Sequence, residues 1–118
     1  MKPKYHLLNN ARYALEGILA LLKNEMAFRL ELCVIIPAIV FSFFLDVSFL
    51  EHLFLITVLI LILIAEALNS AIEACVDLIT NEWHEKAKVA KDCASAAVFF
   101  SVCLALFIWG FILGKLWL

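Results

Sequence analysis

The sequence predicts an all-α membrane protein, with three transmembrane helices preceded by an amphipathic surface helix. Three observations predict it. Hydrophobic residues make up 66% of the 118 positions, and mean hydropathy is +1.04, whereas soluble domains carry about 45–50% apolar residues. Three long apolar stretches follow one another along the chain. Ahead of them, apolar residues recur at helical spacing on one face of a more polar segment.

That segment is the first element. Leu7, Leu8, Ala11, Leu15, Ile18, Leu19, Leu22 and Met26 share one face, and Asn9, Arg12, Glu16 and Lys23 lie mostly on the other. A helix over about 5–25 is expected, lying on the cytoplasmic leaflet. Packing on a soluble core is the competing explanation, but so apolar a chain offers no separate core of that kind. Residues 1–12 show no apolar run followed by small residues, so no cleaved secretory leader is expected.

The first span is expected over about 30–48. Its apolar run, 32–45, becomes long enough if Asp46 lies at the interface, and Pro37 inside it should kink the helix. The second span, about 53–80, is apolar except for Glu66, Asn69, Ser70, Glu73 and Asp77, and is long enough to protrude from the hydrocarbon. The third, about 92–115, contains the longest uncharged run, 93–114. Lys2, Lys4, Arg12, Lys23 and Arg29 precede the first span, and Lys86, Lys88 and Lys91 follow the second. The connection over 46–52 has no Lys or Arg. The expectation is a multi-pass protein of the bacterial inner membrane with a cytoplasmic N-terminus. Lys115 is the one discordant charge.

At this length the chain makes a single integral membrane domain, 1–118, and a thin one; a deep site needs a second copy, so a homo-oligomer is expected. Net charge is −2, which gives no basis for nucleic-acid binding. Cys33, Cys75, Cys93 and Cys103 have no CxxC spacing and read as small packing residues. Three glycines and no GxxxxGK[ST] segment exclude a P-loop. His6, His52 and His84 lack metal-ligand spacing.

One feature of the second span is costly. Glu66, Asn69, Glu73 and Asp77 are spaced 3, 4 and 4 apart, which puts them within an arc of roughly 80° on one helix face. An acid at mid-membrane costs about 2.5–3.5 kcal/mol even on gentle insertion scales, and such groups mark functional sites. Interhelical polar contacts alone return less than about 1 kcal/mol each, and Asn or Ser would serve that purpose. Glu66 lies about 16 Å from Asp77 along the axis, so the stripe runs inward from the cytoplasmic interface. Lys91, Asp92 and Ser95 open the third span at the same level, and Glu25 and Arg29, an i, i+4 pair, close the surface helix there. Carboxylates beside Lys at an aqueous rim suit Mg²⁺ and polyphosphate.

Three blocks then carry a resemblance. Asn24-Glu25-Met26-Ala27-Phe28-Arg29-Leu30-Glu31, the run Glu66-Ala67-Leu68-Asn69-Ser70-Ala71-Ile72-Glu73-Ala74-Cys75-Val76-Asp77, and Lys91-Asp92-Cys93-Ala94-Ser95-Ala96-Ala97-Val98 resemble the prokaryotic diacylglycerol kinase family. The central block matches E-x-x-N-[ST]-A-I-E-x-x-x-D and the last matches A-K-D-x-x-[SA]-A-A-V. The resemblance implies a homotrimer with sites shared between neighbouring chains, passing the γ-phosphate of MgATP to a lipid hydroxyl. It implies Glu66 as the general base, Glu25 and Glu73 as Mg²⁺ ligands, and Lys91 with Asp92 at the nucleotide phosphates. Glu82, Trp83 and His84 match the nucleotide-side E-[YW]-H segment, and Tyr13 the tyrosine of the surface helix. Ala27, Phe28, Arg29, Leu30, Glu31, Asn69, Asp77, Ser95 and Trp109 would support the site or line the lipid path. The N-terminal helix departs from the pattern: His6 stands in place of an Arg, and only Tyr13 and Gly17 carry over from the Gly-Tyr-Ser-Trp-Lys-Gly-like stretch.

The acceptor is expected to be diacylglycerol, giving phosphatidic acid. Undecaprenol on the same fold is the near alternative, although Asn24-Glu25-x-Ala27-Phe28-Arg29-x-Glu31 looks more like the diacylglycerol enzymes. A non-enzymatic proton or ion path is the alternative from another class. The stripe occupies one helix of three, and nothing polar continues through the outer half of the first and third spans.

Overall fold

The computed structural model describes residues 7–118, and every regular element in it is helical. The expected helix start at Tyr5, the divergent His6, and Lys2 and Lys4 lie outside the described residues. Four helices follow in order: α1 (Leu7–Asn24), α2 (Met26–Ser42), α3 (Phe49–Ile79) and α4 (Glu85–Trp117). Their arrangement is elongated, 51 × 38 × 22 Å with a radius of gyration of 17.3 Å, against about 13.5 Å for a compact globule of this length.

The break between α1 and α2 falls at Glu25, whose extended backbone (φ −115°, ψ 106°) caps the start of α2. This revises the expectation that Glu25 and Arg29 close the surface helix together. Arg29 belongs to α2, and its guanidinium reaches back to donate to the carbonyls of Leu22 (2.8 Å) and Lys23 (3.1 Å). Those carbonyls belong to the last turn of α1 and lack helical partners, so Arg29 serves as the C-terminal cap of the preceding helix. No residue of α1 is buried.

α2 runs through Pro37 to Ser42, whose hydroxyl donates to the Ile39 carbonyl at 2.6 Å. Its 17 residues extend about 26 Å. A tightened turn follows, in which Phe43, Phe44 and Leu45 donate three residues back.

α3 starts at Phe49 because Ser48 and Glu51 form a reciprocal capping box. Glu51 N–H donates to Ser48 Oγ (3.1 Å), and Ser48 N–H donates to Glu51 Oε1 (3.0 Å). α3 and α4 have 31 and 33 residues, and each is long and apolar enough to cross a membrane. At about 46 and 50 Å they exceed a hydrocarbon layer of roughly 30 Å.

These two helices form an antiparallel hairpin closed by residues 80–84, and they make the most extensive contact in the chain. Three ties hold it. Lys91 Nζ meets Asp77 Oδ1 at 2.6 Å near the loop, Trp109 Nε1 donates to the Leu55 carbonyl at 3.0 Å, and Lys115 Nζ meets Glu51 Oε2 at 3.0 Å at the far end. The discordant Lys115 thus has an acidic partner from the capping box. Ile35 of α2 joins Val58, Leu59, Ile62 and Ala105 in a buried apolar cluster. Elsewhere large apolar side chains point outward, Phe44 at 82% and Phe49 at 79% exposure among them. Patches of that extent mark a surface covered by lipid or another chain. All four cysteines are free and on this outer surface.

Candidate functional site

The α3 stripe changes character along its length. Glu66 and Asn69 are buried at 4% and 9% exposure, Glu73 is half-buried, and Asp77 is exposed. Helical periodicity gives the shared face, and the gradient follows from α2 and α4 covering the middle of α3 while leaving its end open. Asn69 Nδ2 donates to Glu73 Oε1 at 3.0 Å. Its Oδ1 is buried and finds no donor among the described residues.

Glu66 has acidic company from two other elements. The Glu31 carboxyl of α2 lies against that of Glu66, and the charges of Glu73 and of Glu25, at the α1–α2 break, also act on it. Glu31 Oε1 is another buried acceptor that finds no donor among the described residues. Glu25, Glu31 and Glu73, from three segments, therefore all act on Glu66. Among the described residues, no group of three or more His, Cys, Asp or Glu side chains is drawn close enough to hold a metal ion unaided. A closed cage is not what Mg²⁺ requires. It is commonly held by one or two carboxylates plus substrate phosphates and water, so hard oxygen donors with unfilled acceptor capacity fit it.

Two cavities flank the cluster. The apolar one, about 460 Å³, runs from Leu30 and Glu31 past Ile35, Leu59 and Ile62 to Trp109. Glu31 is its sole ionisable lining residue, so the cavity ends against the acid that touches Glu66. The polar one, about 290 Å³, lies between the end of α3, the connecting loop and the first turns of α4. Asp77, Glu82, Trp83, His84, Lys91 and Asp92 line it. The loop is held there by Thr80 Oγ1, which accepts from Glu82 N–H (3.1 Å), and by His84 Nδ1, which accepts from Lys86 N–H (3.1 Å). Lys91 is paired with Asp77 and also feels the charge of Glu73, which connects this cavity to the carboxylate cluster.

Most of the residues singled out in the sequence are brought together. Glu25, Glu31, Glu66, Asn69 and Glu73 form the inner cluster, and Asp77, Glu82, Trp83, His84, Lys91 and Asp92 form the outer pocket. Leu30 opens the apolar cavity. Trp109 closes it, about 27 Å from Lys91 along α4. Phe28 is buried at 5% exposure, while Ala27 and Ser95 are exposed and line neither cavity. Tyr13 is half-buried on α1, under the Arg12 guanidinium at 5.6 Å, and does not line the polar pocket. Thr80, Asn81 and Lys88 line that pocket and were not singled out. Lys88 carries a readable signal, an i, i+4 spacing to Asp92, which it meets at 2.5 Å.

The profile of the prokaryotic diacylglycerol kinase family matches residues 12–113, nearly all of this architecture. The chain belongs to the prokaryotic diacylglycerol kinase family. It is 41% identical to the diacylglycerol kinase of Haemophilus influenzae over 111 residues, 92% of each chain. It is 43% identical to that of Pseudomonas aeruginosa over 107 residues, covering 91% of this chain and 87% of the relative. The diacylglycerol kinase of Escherichia coli K12 is 41% identical over 103 residues, 87% of this chain and 84% of the relative. Both cavities and the stripe between them fall inside the region shared with this kinase family.

Proposed function

We propose that this chain is an ATP-dependent diacylglycerol kinase, in which Glu66 takes the proton from the lipid hydroxyl as its oxygen attacks the γ-phosphorus. The observation that carries the assignment is the position of Glu66. It is buried, it touches Glu31 at the end of the apolar cavity, and it shares a helix face with Glu73 and Asp77, which lead to the polar pocket. An acyl chain in the apolar cavity would place its glycerol hydroxyl at this junction, and a triphosphate in the polar pocket would approach from the other side.

Phosphoryl transfer depends on positioning and on neutralising charge. Lys91 offers a point charge to the phosphates. Glu82, Trp83 and His84 enclose the nucleotide side. Glu25 and Glu73 would hold Mg²⁺, which supplies charge neutralisation at the transferring phosphate. As the new ester bond forms, the bond between the β–γ bridging oxygen and the γ-phosphorus breaks, ADP leaves with that electron pair, and phosphatidic acid retains the phosphoryl group. Glu66 needs only to be near the hydroxyl and shielded from water, and its burial supports both.

The same reading places α1 on the cytoplasmic leaflet and α2, α3 and α4 across the membrane, with the 80–84 loop cytoplasmic. A homotrimer supplies the cover that the exposed apolar surface calls for. Incubating the purified protein in micelles with γ-labelled ATP, Mg²⁺ and either diacylglycerol or undecaprenol tests the assignment. Label in phosphatidic acid is expected. Label in undecaprenyl phosphate alone would move the acceptor to the polyprenol, and label in neither lipid would overturn kinase function.

A further inference from the structure

The polar pocket must take up a strongly anionic group, yet its own lining is net acidic. Asp77, Glu82 and Asp92 contribute three negative charges, and Lys88 and Lys91 two positive ones. A nucleoside triphosphate brings about four more negative charges, so each lysine at the rim matters to its affinity. Lys91 is already committed twice, paired with Asp77 at 2.6 Å and acted on by the charge of Glu73. Lys88 is one helical turn away on the same side of α4, and it is ion-paired with Asp92 at 2.5 Å.

That pair is readily exchanged. Its side chains are 60% and 62% exposed, and exposed i, i+4 pairs contribute little to stability. A Lys head on a four-carbon stem can swing from a carboxylate to a phosphate oxygen with little loss, and its contact with a multiply charged phosphate is the stronger of the two.

We propose that Lys88 is a second phosphate-binding cation of the nucleotide pocket, leaving Asp92 for a phosphate oxygen when a nucleoside triphosphate enters. This rests on the kinase reading above and adds to it a residue outside the motifs that carry the family resemblance. Lys88 acts on nucleotide affinity, whereas Glu66 and the apolar cavity govern the lipid side.

Steady-state kinetics of the full-length protein in diacylglycerol micelles, varying MgATP and lipid separately, test this. Lys88→Met should raise KM for MgATP by about fivefold, the loss of one charge-assisted contact at a solvated site. Its kcat and its KM for diacylglycerol should stay within about twofold of wild type, and Lys88→Arg should restore KM for MgATP. Lys88→Gln serves as a second uncharged variant and should match Lys88→Met. An unchanged KM for MgATP in both uncharged variants, or no recovery with Arg, would overturn the role of Lys88 while leaving the kinase assignment standing. A wild-type protein that phosphorylates neither lipid would overturn both.

Discussion

Lys91 of α4 and Asp77 of α3 meet at 2.6 Å across the loop end of the helical hairpin. The pair joins the exposed end of the carboxylate stripe to the polar pocket, and its side chains are 42% and 59% exposed. An ion pair this open contributes little to stability, so its importance lies in where it holds the lysine. Lys91→Gln should lower kcat/KM for MgATP by roughly a hundredfold, the scale of losing a preorganised cation at a phosphoryl-transfer site. Asp77→Asn should cost only about three- to tenfold, because Lys91 keeps its charge and loses its tether. Equal losses in the two variants, measured by steady-state kinetics, would contradict this division.

At the opposite end, Lys115 and Glu51 form a pair that bears on stability alone. Glu51→Gln keeps an acceptor for the Ser48 capping box and removes the charge, and Lys115→Gln removes the other charge. A double-mutant cycle on these two should give only a small coupling. Ser48→Ala should cost more, about 1 kcal/mol, through loss of the cap. Denaturation in mixed micelles gives all four values, and a coupling larger than the capping effect would contradict the account.

Arg29 ties α1 to α2 through two carbonyls of the last turn of α1. Arg29→Ala should leave those acceptors uncapped, lowering thermal stability by a few degrees and making the chain easier to cleave around Glu25. Arg29→Lys should recover only part of this, since one ammonium cannot reproduce the planar fork. Limited proteolysis with mass spectrometry reads the junction directly.

The stripe was legible because two simple rules act on it: 3.6-residue periodicity and the cost of an acid in lipid. Neither needs knowledge of the tertiary structure. Helix boundaries followed less closely. The S-x-x-E box that starts α3 at Phe49 sits in a stretch that composition marks only as an interfacial turn, and hydropathy does not distinguish a helix from the part of it that lies in the hydrocarbon. The end of the surface helix near residue 25 was legible, but the start of α2 at Met26 rather than near residue 30 was not, because apolar periodicity continues through Met26. Lys115 looked discordant because its partner is 64 residues away, a separation that no local pattern spans. Glu31 could be placed in a motif, but its contact with Glu66 depends on how α2 packs against α3, as does the apolar cavity it closes.

The central claim is that Glu66 takes the proton from the lipid hydroxyl, and Glu66→Gln tests it most directly because Gln keeps the shape and loses the base. Phosphatidic acid formation from γ-labelled ATP should fall by at least about a thousandfold, with thermal stability retained and KM for MgATP, or binding of a fluorescent ATP analogue, within about threefold of wild type. A folded, nucleotide-binding Glu66→Gln protein with turnover close to wild type would contradict the account.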